Sequence, residues 1–368
     1  MYLCKNNNYS ELFPAIRCNL FCIILPSAVE GPTKKGFPLL SGLNYTLSMK
    51  HYVIFPLLFS LVVLSSCDKK SKVEKAVEEM PLEIKINRFD KAFFETKPQD
   101  LPNLKAAYPF FFPAGNDDKI WTDKMQNPQW RELYAEVEKR YANFDSEKEK
   151  IETLFKHIQY YFPETKTPKV YTIISEMDYQ NKVIYANNML IISLELYLGK
   201  DHKFYEFPEY IKQNFEENQM MPDIVSSFAK TKILPPTDVS FLAQMLYTGK
   251  ELYLKDRLLP EESDADKIGY KKEQITWCQE NEGYMWRYFI ENKMLYDTNQ
   301  KLIPRFINPA PFSKFYLEID NDTPGRVGAW IGWQIVRSYM ENNEVSLSQL
   351  LTTDAKELFE KSKYKPKK

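Results

Sequence analysis

Cysteine is scarce in this chain and poorly placed for cross-linking. Five occur in 368 residues, at positions 4, 18, 22, 67 and 278. A mature protein beginning at Cys67, as argued below, keeps only Cys67 and Cys278, so no internal disulfide holds the fold. Histidine is rarer still. Beyond His51 there are His157 and His202 alone, neither with a second histidine four residues on nor a Cys-x-x-Cys neighbour. That excludes a locally assembled zinc site of the ordinary ligand set. The 11 glycines build no phosphate-cradling loop, no G-x-S-x-G elbow and no dinucleotide fingerprint. A formal net charge of −1 leaves no basic footprint for nucleic acid. No apolar run reaches the ~20 residues that a membrane-crossing helix needs. These absences point away from an enzyme: no catalytic residue, no cofactor-binding residue and no metal ligand is expected.

What the chain does have is a layout around Cys67. Met49-Lys50-His51 is a short positive start, Tyr52 to Leu64 is almost unbroken apolar sequence, and Leu64-Ser65-Ser66-Cys67 closes it with small residues before a cysteine. The apolar run is too short to span a bilayer and right for a signal h-region. Residues 49–66 therefore read as a lipoprotein signal peptide cleaved before Cys67. The Cys67 thiol is expected to take a diacylglyceryl group and the freed amine a further acyl chain such as palmitate. Several chains together hold a protein at a membrane where one binds only marginally. Residues 1–48 show no helical or strand period. They read as a mis-called upstream extension without ordered structure, with translation starting at Met49.

Asp68 to Glu79 is polar and free of aromatics, so residues 67–80 read as a flexible tether. Residues 81–368 read as a single globular domain, carried by its hydrophobic core in a chain with 15% aromatics. Alternation of Leu82, Ile84 and Ile86 predicts a half-buried strand within Pro81–Phe94. Asn127-Pro128 predicts a helix start, followed by a stripe of Trp130, Leu133, Tyr134, Val137 and Tyr141. Ser146-x-x-Glu149 fits a capping box ahead of Ile151, Leu154, Phe155 and Ile158. Three β-branched runs, 170–175, 183–186 and 189–194, predict short strands in a meander or at the edge of a mixed sheet. The remainder reads as helices: from Pro222 to Lys230, one capped by Thr237, one from about Glu273 to Glu291, one from about Arg326 to Glu341, and a last pair opened by Ser346-x-x-Gln349. The fold class is α+β, predominantly helical, with a small sheet near the start of the domain followed by helices.

Chemistry is harder to find. Cys278, beside Trp277 on a predicted helix, reads as a buried inert thiol. Gly325, Gly328 and Gly332 lie in a tryptophan-rich helix with no strand immediately before it, so close helix packing explains them better than nucleotide binding. Carboxylates are plentiful and unpatterned. Core packing is the favoured reading of Trp330 and Trp333, with partner binding by any exposed part of them as the other.

Whole phrases of the sequence carry a resemblance. Among them are Arg88-Phe89-Asp90, Tyr108-Pro109-Phe110-Phe111-Phe112-Pro113, Trp277-Cys278-Gln279-Glu280-Asn281-Glu282, Arg305-Phe306-Ile307-Asn308-Pro309-Ala310-Pro311-Phe312 and Trp330-Ile331-Gly332-Trp333-Gln334-Ile335-Val336-Arg337. From Met49 to Lys368 the chain resembles the GldB family of gliding-motility lipoproteins of the Bacteroidota. The resemblance implies a lipid-anchored component of the gliding machinery, exposed to the periplasm and linked to the type IX secretion of motility adhesins. Its implied partners are the bilayer and other gliding-motility envelope lipoproteins, with no nucleic acid and no small-molecule cofactor. Residue by residue, only Cys67 inherits a defined chemical role. A second likeness is to zincin-type, metallopeptidase-like domains, in the order strands, helix at 222–230, then a helix with Thr248-Gly249-Lys250. The metal motif is missing there: the first helix reads Pro222-Asp223-Ile224-Val225-Ser226-Ser227-Phe228, and Thr248 precedes Gly249. A degenerate, metal-free shell is the expectation, its former cleft either packed shut or holding a peptide. The readings that follow are a non-catalytic interaction module, or alternatively a periplasmic peptide-binding or chaperone-like module. An unrecognised carboxylate enzyme comes last.

Overall fold

A computed structural model describes residues 71–367. The first helix, α1 (Lys72–Glu79), falls inside the stretch read from sequence as tether. The Ser71 hydroxyl accepts the Glu74 N–H and the Glu74 carboxylate accepts the Ser71 N–H, closing a capping box. Val73, Ala76, Val77 and Met80 then form a narrow apolar stripe, with Val77 buried. Two valines and an alanine among the eight charged residues of the stretch 68–79 look solvated by composition. Their helical spacing is what docks α1 on the helix 145–161.

The predicted alternation holds through Ile84, which is buried, and ends in the three-residue strand β1 (Ile86–Arg88). Helix α2 (Phe89–Glu95) follows at once, then α3 (Leu101–Ala107), a 3-10 turn at Pro109–Phe111, and α4 (Asp118–Gln126). Helix α5 (Pro128–Tyr141) starts where the sequence indicates. The Asn127 carboxamide oxygen accepts from Gln129 N at 2.9 Å and Trp130 N at 3.3 Å, with Pro128 in the first turn. Helix α6 (Asp145–Tyr161) differs from expectation. It begins one residue before Ser146, because the Asn143 side chain accepts the Asp145 N–H at 2.7 Å. Ser146 is thereby inside the first turn, and no capping box forms at 146–149.

Strands β2 (Lys169–Ile173), β3 (Val183–Ala186) and β4 (Met189–Ser193) complete a mixed sheet of order β1-β2-β4-β3. β1 and β4 flank β2 in parallel, with Ile86 opposite Val170 and Val170 opposite Leu190. β3 pairs antiparallel with β4 through a two-residue turn, Asn187-Asn188, both at positive φ.

The rest is helical: α7 (Glu209–Lys212), α8 (Met220–Ala229), α9 (Phe241–Leu258), α10 (Asp264–Ile268), α11 (Lys272–Glu280), α12 (Glu282–Glu291), α13 (Leu302–Phe306), α14 (Val327–Asn342), α15 (Leu347–Thr352) and α16 (Ala355–Ser362). Two details depart from the sequence reading. Ser240, not Thr237, caps α9, its hydroxyl accepting the Ala243 N–H. The single helix expected over 273–291 is two, broken at Asn281. The fold class is as expected, α+β and mostly helical, with the small sheet early. Helix α8 packs on the edge strand β3 and on α9. The centre of the helical part is the crossing of α9 over α14. A Cβ on Gly332 would overlap the Met245 carbonyl, and one on Gly249 would overlap the Gly332 carbonyl. Of the glycines expected to serve close helix packing, Gly328 and Gly332 do so, against Phe306 and Met245, whereas Gly325 lies ahead of α14 and meets the Ala310 backbone.

Candidate functional site

In open sheets with parallel strands, ligands bind outside the carboxyl ends of the strands. Here charged side chains converge on those ends. At the end of β1, Arg88 donates to both oxygens of Asp90 at 2.6–3.1 Å, to Glu138 at 2.8 Å and to the Tyr141 carbonyl at 2.6 Å. Asp90, itself buried, accepts a further 2.5 Å bond from the Thr172 hydroxyl on β2. The pair locks β1, β2 and α5 together.

Beyond β4 a short 3-10 turn, Leu194–Leu196, carries Glu195 fully into the interior. Its Oε1 accepts from the Ser175 amide at 2.9 Å and the Ser175 hydroxyl at 2.5 Å, just past the end of β2. Its Oε2 has no partner. Burial pushes this carboxyl up to about 7, against the opposing Ser175 bonds and the charge of Lys124. Lys124 is pushed down by its own burial, and its Nζ lies 3.8 Å above the Trp130 ring and 3.8 Å from Glu176. A carboxyl titrating near neutrality is the kind of group acid–base chemistry uses. Glu195 has no exposed surface, however, and is out of a solute's reach in this conformation.

The tryptophans offer no surface to a partner. Trp330 is 2% exposed and Trp333 0%, their rings meeting edge to face at 5.8 Å. Trp333 Nε1 donates to Asp256 at 2.9 Å. The Arg337 guanidinium lies 3.8 Å from the centre of the Trp333 ring and donates to both Asp256 and Asp264 at 2.8 Å. Lys267 joins Asp256 at 3.2 Å. The partner-binding expectation for Trp330 and Trp333 is thus corrected to core packing. The sequence held the signal: Val327 to Val336 is apolar around nearly the whole circumference, the pattern of a helix buried on all sides.

The side chains of α8 around 222–228 are engaged in structural contacts. Asp223 on α8 accepts from the Tyr197 hydroxyl at 2.8 Å and pairs with Lys182 at 2.5 Å. Ser226 donates to Glu251 on α9 at 2.7 Å. The Ser227 hydroxyl accepts the Tyr185 N–H at 2.8 Å, so the outer edge of β3 is tied to α8. Among the described residues no group of three or more His, Cys, Asp or Glu side chains is placed to hold a metal. His157 Nδ1 lies 3.0 Å from the Thr153 carbonyl, and His202 Nε2 lies 3.5 Å from Glu136, on separate parts of the fold. Cys278 is fully buried, and burial pushes its thiol well up. Cys67 lies outside the described residues. A shallow hollow of about 630 Å³ separates the segment Glu83–Arg88 from the turn at Ala142–Asp145. Its Arg88, Lys91 and Lys148 are already paired, with Asp90, Glu138 and Glu152.

The family described as gliding motility protein GldB matches residues 70–366 of the chain. No curated protein and no solved structure matches it.

Proposed function

The chain belongs to the gliding motility protein GldB family, and on that premise we propose that it is a lipid-anchored, non-catalytic interaction module of the gliding machinery. In this reading Cys67 carries the acyl chains, the folded body faces the periplasm, and its partners are other envelope lipoproteins of the apparatus. The link to type IX secretion of motility adhesins belongs to the same proposal. The observation that carries it is the family match across residues 70–366, nearly the whole folded body. Among the described residues no helix is long and apolar enough to cross a membrane, which agrees with anchoring by lipid.

The tie between Ser227 and the Tyr185 amide supports a module acting through its outer surface over one holding peptide in a cleft. An incoming peptide strand needs the free amides of a sheet edge, and this one is engaged by α8. We read β3, α8 and α9 as a metal-free zincin-like shell with its cleft packed shut, α8 lacking a His-Glu-x-x-His motif and Thr248 standing before Gly249 in place of an acidic ligand.

Replacing the anchor tests the proposal. Cys67→Ser should abolish acyl labelling and release the protein from the membrane fraction, with loss of gliding. Labelling that persists in this variant would place the attachment elsewhere. Cross-linking in envelope membranes should capture lipoproteins of the gliding apparatus, and capture of none would sink the interaction role.

A further inference from the structure

The segment Ala106–Asn116 (AAYPFFFPAGN) carries no charged side chain, in a chain where 27% of residues are charged. Most of it is at the surface, including Pro109, Pro113 and Phe110, the last 60% exposed. It is also rigid. The 3-10 turn Pro109–Phe111 sets its tip. Phe111 stacks on Phe89 at 4.2 Å, Phe112 is buried with its ring 5.1 Å from Trp121, and Phe110 meets Phe111 edge to face at 5.4 Å. The rings form a column from the core into solvent. Ile120, next to Trp121, adds a second exposed apolar side chain at 53%.

We propose that this knob seats the protein on the lipid bilayer, with Phe110 at its tip entering the interfacial region. The proposal rests on the lipid-anchor reading of Cys67. Three arguments favour lipid over a protein partner. A stable protein interface needs about 800 Å² from each side, whereas Phe110 and Ile120 together offer about 200 Å² at ~200 Å² per large side chain. Insertion into a membrane needs no such area from a protein already held there. The segment brings no charge and few side-chain hydrogen-bonding groups, so it supplies little of the polar rim that protein interfaces carry. Finally, Cys67 stands four residues before Ser71, so at that end the body hangs within about 15 Å of its acyl chains. Tethering raises the effective concentration of the bilayer far above that of any partner free in solution, and aromatic rings favour the membrane–water boundary.

The test uses the full lipoprotein in neutral phosphatidylcholine vesicles, with an environment-sensitive fluorophore on Phe110→Cys or, for comparison, on the exposed Glu318→Cys. Cys278 is buried and should stay unlabelled. The label at 110 should shift to the blue and be quenched by brominated acyl chains, and the label at 318 should not. In the Cys67→Ser background, read at high lipid concentration, the same shift should appear, and adding Phe110→Asp should weaken vesicle retention about tenfold with unchanged thermal unfolding. Co-sedimentation of the Cys67 protein reads the anchor and the label reads the knob, so the two fail separately. A label at 110 that stays as water-exposed as that at 318 in both backgrounds overturns the proposal. One that stays wet on vesicles but cross-links to an envelope protein overturns it in favour of a protein partner.

Discussion

Glu195 has one carboxylate oxygen bonded to Ser175 and the other to nothing, and this residue sets a pH dependence. Its folded-state value of about 7 lies above the ordinary 4.5 because burial disfavours the charged form. A carboxyl whose affinity for protons rises on folding contributes stability below about pH 4.5 that is lost as pH climbs through 7. The gap corresponds to roughly 3 kcal/mol. Urea unfolding of the protein and of Glu195→Gln, compared from pH 5 to pH 8, should show the natural protein losing stability relative to the variant as pH rises. Parallel pH profiles would rule out this origin. A lone glutamate inside Met189-Leu190-Ile191-Ile192-Ser193-Leu194-Glu195-Leu196-Tyr197-Leu198 is surrounded by apolar neighbours on both sides, a sign of burial that the sequence carries. The burial of Cys278 was legible, from its place beside Trp277 on a helix. Ser146 is the opposite case: the box motif is present, yet the helix starts one residue earlier.

At the scale of elements, two capping motifs of the same form had different fates. Ser346-x-x-Gln349 closes as expected, the serine hydroxyl accepting the Gln349 N–H at 3.2 Å and the Gln349 carboxamide accepting the Ser346 N–H at 2.8 Å. At 146–149 the Asn143 carboxamide takes the Asp145 N–H first and fixes the helix start upstream. A four-residue pattern cannot register a competing acceptor three residues before it. Periodicity did better than caps. The α5 and α6 stripes and the β-branched strands all place their elements correctly. The α9–α14 crossing depends on backbone contact at Gly249 and Gly332, where the neighbouring atoms are carbonyl groups that no rotamer change moves aside. Gly332→Ala should therefore destabilise the domain by about 3 kcal/mol, the upper end of overpacking costs, measured as a lower urea midpoint. An unchanged midpoint would mean that the two helices separate at little cost.

For the whole molecule, fold class and family were legible because hydrophobic period and long sequence phrases survive in one dimension. Strand order was not. Nothing local announces that residue 86 pairs with residue 170, or that β4 inserts between β2 and β3. Nor does any single position reveal that charges at the strand ends are mutually satisfied, since Arg88, Asp90, Glu138 and Thr172 come from four elements, β1, α2, α5 and β2. The long reach between β1 and β2 has a cost in folding time, because the loop must close before the pairing rewards it. It also bears on synthesis. A chain ended at residue 168 has no partner for β1 and should be digested rapidly by protease under conditions where the chain through 367 resists. Resistance of the shorter chain would show that its helices fold without the sheet. While still growing, the polypeptide has no finished sheet to jam a narrow pore until Ser193 has been made.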